Sequence, residues 1–335
     1  MKRLGALVAA VLLVVVALWV RGRLGGDGVR LGGGAPSGTI LCATEVARAC
    51  EALRGEYPGV ATRIEAAGAT AQAVGGGTKG AADFDVWLVA QPYADVATEL
   101  LQAATGASPL GAASKPIAHS RLAFFVHESR AAAFRAHCGA TPGWRCLLSG
   151  VSAPSWESIG GGATWGKVKP YLADPLEGSG LLALGGAAVG VIEPPVDGAA
   201  IRDSPEFAGA LASLKRAQAL AGRPPSAALT QMLAAGPSVT DIVIALESER
   251  DRFGASALSK ATLIYPAPVV SAEVVAVPRR GSDKAEALME LLTGDAGREA
   301  LTSTGWRAGP APAGQKNSPS VGSHIVLRQI WEEIR

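Results

Sequence analysis

An α/β fold with helices on both faces of a mostly parallel sheet is what this 335-residue sequence predicts. Three observations predict it. Short apolar runs of strand length alternate with longer helical segments over residues 39–335. Turn signals such as Tyr57-Pro58-Gly59 separate them. The composition, 48% hydrophobic and 18% charged, supplies enough apolar material for one large core or two moderate ones.

The elements follow in order. Residues 39–43 read as a buried strand, and Thr44 is placed to cap a helix running to Glu56. A strand at 61–66, a Gly-containing turn and a strand at 84–89 come next. Residues 115–120 lead into an apolar strand at 121–127, and the pattern resumes with a strand at 168–173. Asp174-Pro175-Leu176-Glu177-Gly178-Ser179-Gly180 then opens an apolar helix, 181–189. Helices are expected at 205–221, 226–234, 282–293, 295–303 and 321–330, and strands at 242–245, 261–264 and 273–277. Gly305-Trp306-Arg307 stops the helical pattern before the last helix.

Ahead of this body, residues 4–20 carry no charge and follow Lys2 and Arg3. The run is long enough to span a bilayer core, which takes about 17–25 residues. It exits through Ala17-Leu18-Trp19-Val20-Arg21, without the small residues of a cleavage site, and Trp19 suits a membrane interface. An uncleaved single-pass anchor with the body outside the cytoplasm is therefore expected, with a cleaved and secreted form as the alternative. No cysteine follows the run to carry a lipid. Residues 24–38 are Gly-rich and read as a tether.

Four cysteines form two pairs of equal spacing, Cys42 with Cys50 and Cys138 with Cys146, and show no zinc spacing. Thr141-Pro142-Gly143 folds the chain back between Cys138 and Cys146, which favours a disulfide there. A Cys42–Cys50 bridge requires that the two do not share one straight helix, since eight positions span about 12 Å. Four buried free thiols are the competing reading. A net charge of +2, with both signs mixed along the chain, gives no reason to expect nucleic acid.

The order of elements resembles the extracellular solute-binding proteins of the type II periplasmic-binding-protein fold. The resemblance rests on Ala67-Gly68-Ala69-Thr70, Pro116-Ile117-Ala118-His119-Ser120, Asp174-Pro175 with Ser179-Gly180-Leu181-Leu182, Tyr265-Pro266-Ala267-Pro268 and Gly305-Trp306-Arg307. More narrowly, Trp144-Arg145-Cys146-Leu147, Trp156 and Trp165-Gly166-Lys167 look like a membrane-associated subgroup. The resemblance implies two lobes, with 39–118 the first part of lobe I, 119–264 lobe II and 265–335 the return to lobe I. Crossovers would lie near 115–120 and 263–270, with a ligand between the lobes and an ABC-type permease or another membrane protein as partner. Lobe closure would report binding.

The expected site has its own physical basis. In open α/β sheets, ligands bind beyond the carboxyl ends of strands, where helix N-termini offer free N–H groups and partial positive charge. Thr44 and Glu45, Gly68, Ala69 and Thr70, and Asp174 with Ser179 and Gly180 have that character, and Tyr265 is placed to close over them. Small residues and hydroxyls suit an oxyanion or carboxylate. Ordinary capping accounts for the same residue types. Glu45 and Ala69 depart from a pure anion site, because a glutamate repels an anion, and so they admit a zwitterionic or neutral ligand.

No cofactor and no catalysis are expected. His127-Glu128 lacks the second histidine of a zincin, since Ala131 stands there. Gly75-Gly76-Gly77-Thr78-Lys79 fails the phosphate-loop pattern on both sides of the lysine. Glu177 occupies the first glycine position of G-x-S-x-G, which excludes a nucleophile elbow. Two other functions remain open: an extracellular interaction module for a protein or envelope polymer, and an enzyme using Asp174, Glu177 or His119.

Overall fold

The structure, a computed structural model, describes residues 35–77, 83–105, 108–139, 141–315 and 319–334. The anchor expected at 1–23, and all but the last four residues of the tether at 24–38, lie outside them. Among the described residues no helix is long and apolar enough to cross a membrane. Residues from Pro36 onward form one compact unit.

Among the described residues nine strands build it: β1 (Gly38–Ala43), β2 (Val60–Glu65), β3 (Val86–Ala90), β4 (Ala118–His127), β5 (Pro170–Leu172), β6 (Ile242–Leu246), β7 (Ala261–Ile264), β8 (Ser271–Pro278) and β9 (Arg307–Ala308). The helices of two turns or more are α1 (Ala47–Glu56), α2 (Ala67–Gly75), α3 (Tyr93–Thr105), α4 (Glu128–Cys138), α5 (Trp144–Ser152), α6 (Gly178–Val191), α7 (Pro205–Ala217), α8 (Pro225–Ala235), α9 (Ala285–Thr293), α10 (Asp295–Thr302) and α11 (Val321–Glu333). Strand order is β2-β1-β3-β8-β4-β6-β5, with β7 and β9 also pairing β4.

The expectation of a mainly parallel sheet needs correction. Pairs β1–β2, β1–β3 and β5–β6 are parallel, whereas β3–β8, β4–β8, β4–β6, β4–β7 and β4–β9 are antiparallel. The cause is β4 and β8, which run against their neighbours and occupy the middle of the sheet. Strand direction leaves no trace in a period-two pattern, so the sequence carries no sign of it.

β4 divides the sheet. Its residues 118–121 pair with β8, and its residues 122–126 pair with β6. At Arg121 and Leu122 the strand passes from one half of the sheet to the other, and the chain returns between β7 and β8. The run Ile242-Val243-Ile244-Ala245-Leu246 is buried throughout because both faces of β6 are covered. One face packs with Phe125, Tyr171 and the α8 residues Leu229 and Met232, and the other joins the main core.

α6 is buried along nearly its whole length, consistent with a sequence apolar on every side. Trp144 packs into the core edge-on to Phe124, ring centroids 5.0 Å apart. Trp156 Nε1 donates to Asp241 Oδ2 at 2.7 Å, and its ring meets Trp165 at 5.9 Å. These tryptophans serve packing.

Both cysteine pairs are bridged, with Cα separations of 6.6 Å for Cys42–Cys50 and 5.4 Å for Cys138–Cys146. Cys42 lies one residue before the end of β1 while Cys50 lies on α1, and a 3-10 turn at Thr44–Val46 folds one back on the other. The straight-helix objection therefore does not apply.

Candidate functional site

The loop from β5 to α6 meets the turn from β1 to α1 across a seam between the two halves of the sheet. The sequence assigns Thr44 to capping, but no side chain caps this turn. Thr44 Oγ1 instead donates across the seam to Glu177 Oε2, and it also lies 3.4 Å from Glu45 Oε2.

Glu45 reaches further. Its Oε1 accepts from Ser179 N–H at 2.9 Å, at the first turn of α6. A Cβ on Gly178 would sit 2.9 Å from the same oxygen, and one on Gly180 would sit 2.3 Å from Asp174 O. Glycine at 178 thus permits the approach of Glu45, and glycine at 180 the tight turn of the loop into α6. The helix N-terminus that sequence reasoning offered to an external anion is occupied by the chain's own carboxylate.

Gly68 makes the second closure. It starts α2, where the sequence predicts a turn, and its N–H donates to Leu176 O at 2.7 Å. A Cβ there would sit 2.6 Å from Tyr93 Oη and 2.8 Å from Leu176 Cα. Tyr93 OH in turn donates to Pro175 O. Ala69 is half-buried on α2, while Thr70 and Ser179 are buried and their hydroxyl oxygens have no hydrogen-bond partner among the described residues. Asp174 is exposed, and its Oδ1 accepts from Leu176 N–H at 2.9 Å.

The electrostatics follow from burial. Desolvation pushes the Glu45 carboxyl up against the hydrogen bonds from its own backbone, Ser179 and Gly178. Glu177 is raised to about 7, by burial first and by repulsion from Glu45 second. Geometry agrees: a hydroxyl has one proton to give, so Thr44 satisfies both carboxyls only when one of them is protonated. A cavity of about 70 Å³ adjoins the pair, lined also by Glu249 and Arg252, which form an ion pair at 2.6 Å.

Tyr265 lies at the crossover, and its hydroxyl has a partner there. Its OH donates to Glu247 Oε1 at 2.6 Å, and the Arg121 guanidinium lies 3.7 Å over its ring. Arg121 donates to both Glu247 oxygens at 2.9 and 3.0 Å, and Arg307 donates to Oε1 at 2.7 Å. This cluster sits where β4 changes partners, so Tyr265 belongs to the crossover. Burial would raise Glu247, but the bonds from Arg121, Tyr265 and Arg307 outweigh it and hold the carboxyl at about 2.

Of the side chains set aside, His127 caps α4 by accepting from Ser129 N–H at 3.3 Å, and His119 Nδ1 lies 2.9 Å from Gly309 O. Sequence reasoning missed Glu177 as a seam residue, and it gave Arg121, Glu247 and Arg307 no part in a charged cluster. The departure of Glu45 from a hydroxyl-lined site was the one available signal.

A sheet divided by a shared central strand, with helix N-termini facing each other across the seam, is the type II periplasmic-binding-protein fold, and solved structures share it. The periplasmic binding protein AfuA of Actinobacillus pleuropneumoniae, with fructose-6-phosphate bound, superposes with a TM-score of 0.57 at 13% identity, covering 89% of this chain and 98% of its own. Iron-bound HitA of Pseudomonas aeruginosa gives 0.57 at 14% identity, covering 88% and 99%. The sulfate-binding protein SubI of Mycobacterium tuberculosis gives 0.51 at 16% identity, covering 84% and 89%. No protein-family model matches the chain, and no curated protein sequence matches it.

Proposed function

We propose that the protein is an extracytoplasmic solute-binding protein, tethered to the membrane by residues 1–23, which captures a small ligand between two lobes for transport or sensing. The lobes are those expected from the sequence, 39–118 with 265–335 and 119–264. An ABC-type permease or another membrane protein is the partner this reading expects. The observation that carries it is the pair of buried hydroxyls, Thr70 and Ser179, at two helix N-termini near the seam, with no hydrogen-bond partner among the described residues. Solved structures with this fold include proteins holding sugar phosphate and iron. Here, however, Glu45 already sits at the first turn of α6, so an anion must displace it. A zwitterionic or cationic solute that pairs with Glu45 and Glu177 fits the seam better.

The test is thermal shift of the full-length chain against amino acids, amines, sugars, oxyanions and metal ions, repeated with Ser179→Ala and Thr70→Val. Ligand at about 100 times its dissociation constant stabilises by about 2.7 kcal/mol, a shift of several degrees. A shift that both variants reduce supports the reading, and no shift across the panel rejects it. A second reading, an interaction module for a protein or envelope component, is favoured by one observation: the seam is closed by the chain's own side chains and leaves a cavity of only about 70 Å³. Its expected signature is an unchanged seam in the presence of every small solute.

A further inference from the structure

On the far side of the Asp174-Pro175-Leu176 loop lies a larger cavity, about 240 Å³, between that loop, the end of α7 and the terminal helix α11. Liquid water would fill this space with about eight molecules, at roughly 30 Å³ each.

Its chemistry is uneven. Lys215, Gln218 and Arg328 line it. Lys215 Nζ spends two of its three N–H groups, at 2.7 Å each, on Trp331 O and Ile334 O. Arg328 pairs through Nε with Glu332 at 3.4 Å, but its Nη1 is buried with no hydrogen-bond partner among the described residues. Gln218 Nε2 is buried and unpartnered in the same way. Buried donor groups without partners cost free energy, and an acceptor ligand removes that cost. Trp331, 7% exposed, supplies an apolar wall, and the exposed carboxylates of Asp174 and Glu332 complete the lining.

We propose that this cavity is a second binding site, for a small aliphatic α-amino acid. The ligand's carboxylate lies against Arg328, Lys215 and Gln218, its side chain against Trp331, and its ammonium beside Asp174 and Glu332. A dianion such as phosphate is disfavoured because the two acids offset the two cations. The assignment does not depend on the seam being a ligand site.

Isothermal titration of the full-length chain in mild detergent tests it with three probes: L-leucine, isocaproate, which lacks the ammonium, and isoamylamine, which lacks the carboxylate. Leucine is expected to bind most tightly, isocaproate more weakly, and isoamylamine not at all. Arg328→Gln should weaken leucine about tenfold or more, the worth of one charge-assisted hydrogen bond. Should that variant fold poorly, Ala221→Trp fills the mouth from an exposed position, keeps every charge, and should cause the same loss. Asp174→Asn should weaken leucine while sparing isocaproate. No binding of leucine or isocaproate, equal binding of isoamylamine, or leucine affinity unchanged by Ala221→Trp would each overturn the proposal. Loss of leucine binding in Ser179→Ala would assign it to the seam and overturn the second site.

Discussion

Two carboxylates, Glu247 and Glu45, stand at the two places where the halves of the sheet meet, and their surroundings push them in opposite directions. Glu247 lies among two guanidiniums and a phenol, which hold it at about 2. Glu45 has a helix N-terminus and a second carboxyl, Glu177, and burial raises both acids. The crossover is thus fixed by charge at any ordinary pH, while the seam contains a proton-dependent contact. The contrast teaches that one molecule can join the same two halves once permanently and once conditionally.

The largest expected effect breaks the permanent side. Glu247→Ala leaves Arg121 and Arg307 facing each other without their shared acid, and a loss of about 3 kcal/mol is expected in denaturant unfolding. A loss below 1 kcal/mol, within the range of surface pairs, would reduce the crossover cluster to surface decoration.

Gly68→Ala comes next. Its new Cβ would meet Tyr93 Oη at 2.6 Å and Leu176 Cα at 2.8 Å, the second a backbone atom that yields little. Overpacking of this kind costs about 2 kcal/mol and should spread the seam, read as a larger radius of gyration by small-angle scattering. An unchanged radius with unchanged stability would show that the seam is already loose.

The pH dependence sharpens the contrast directly. Glu177 is raised from 4.5 to about 7, so the stability it contributes is fully present below pH 4.5 and is lost as pH rises through 7. Glu247 is depressed from 4.5 to about 2, so its contribution is present above 4.5 and is lost as pH falls through 2. Between pH 5 and 8 the seam term should fall by on the order of 1–2 kcal/mol while the crossover term stays constant. Glu177→Gln should flatten the unfolding midpoint over that window. A slope that survives the substitution would place the titrating group elsewhere.

The smallest effect is that of Tyr93→Phe, which removes one hydrogen bond to Pro175 O at little cost in shape. About 1 kcal/mol is expected, and faster amide exchange at Gly68 would localise it to the seam.

Much of the fold was legible. Strands such as β1, β6 and β8 announced themselves as short apolar runs, and Gly178-Ser179-Gly180 marked the start of α6. Helices α3, α4 and α5 did not stand out. α4 buries two alanines and one large apolar residue, Phe134, and α5 follows a turn that drew attention to its cysteine instead. The candidate site was half legible, because helix starts and small residues are local features. What fills the site is not local: Glu45 and Ser179 lie 134 positions apart, and Thr44 and Glu177 lie 133 apart. The stacking of Arg121 on Tyr265 was hidden for the same reason, since Arg121 lies on a strand whose pairing no local pattern encodes.

The Cys42–Cys50 bridge encloses Thr44 and Glu45 in its loop. The residues that reach across the seam are therefore held on a covalent staple, and the oxidation state of the surroundings sets how firmly they are aimed. Opening the loop would release about 2.5 kcal/mol of restraint by the chain-entropy account. With the bridge open the same sheet would carry a slack Glu45, so the staple is what keeps the seam residues aimed.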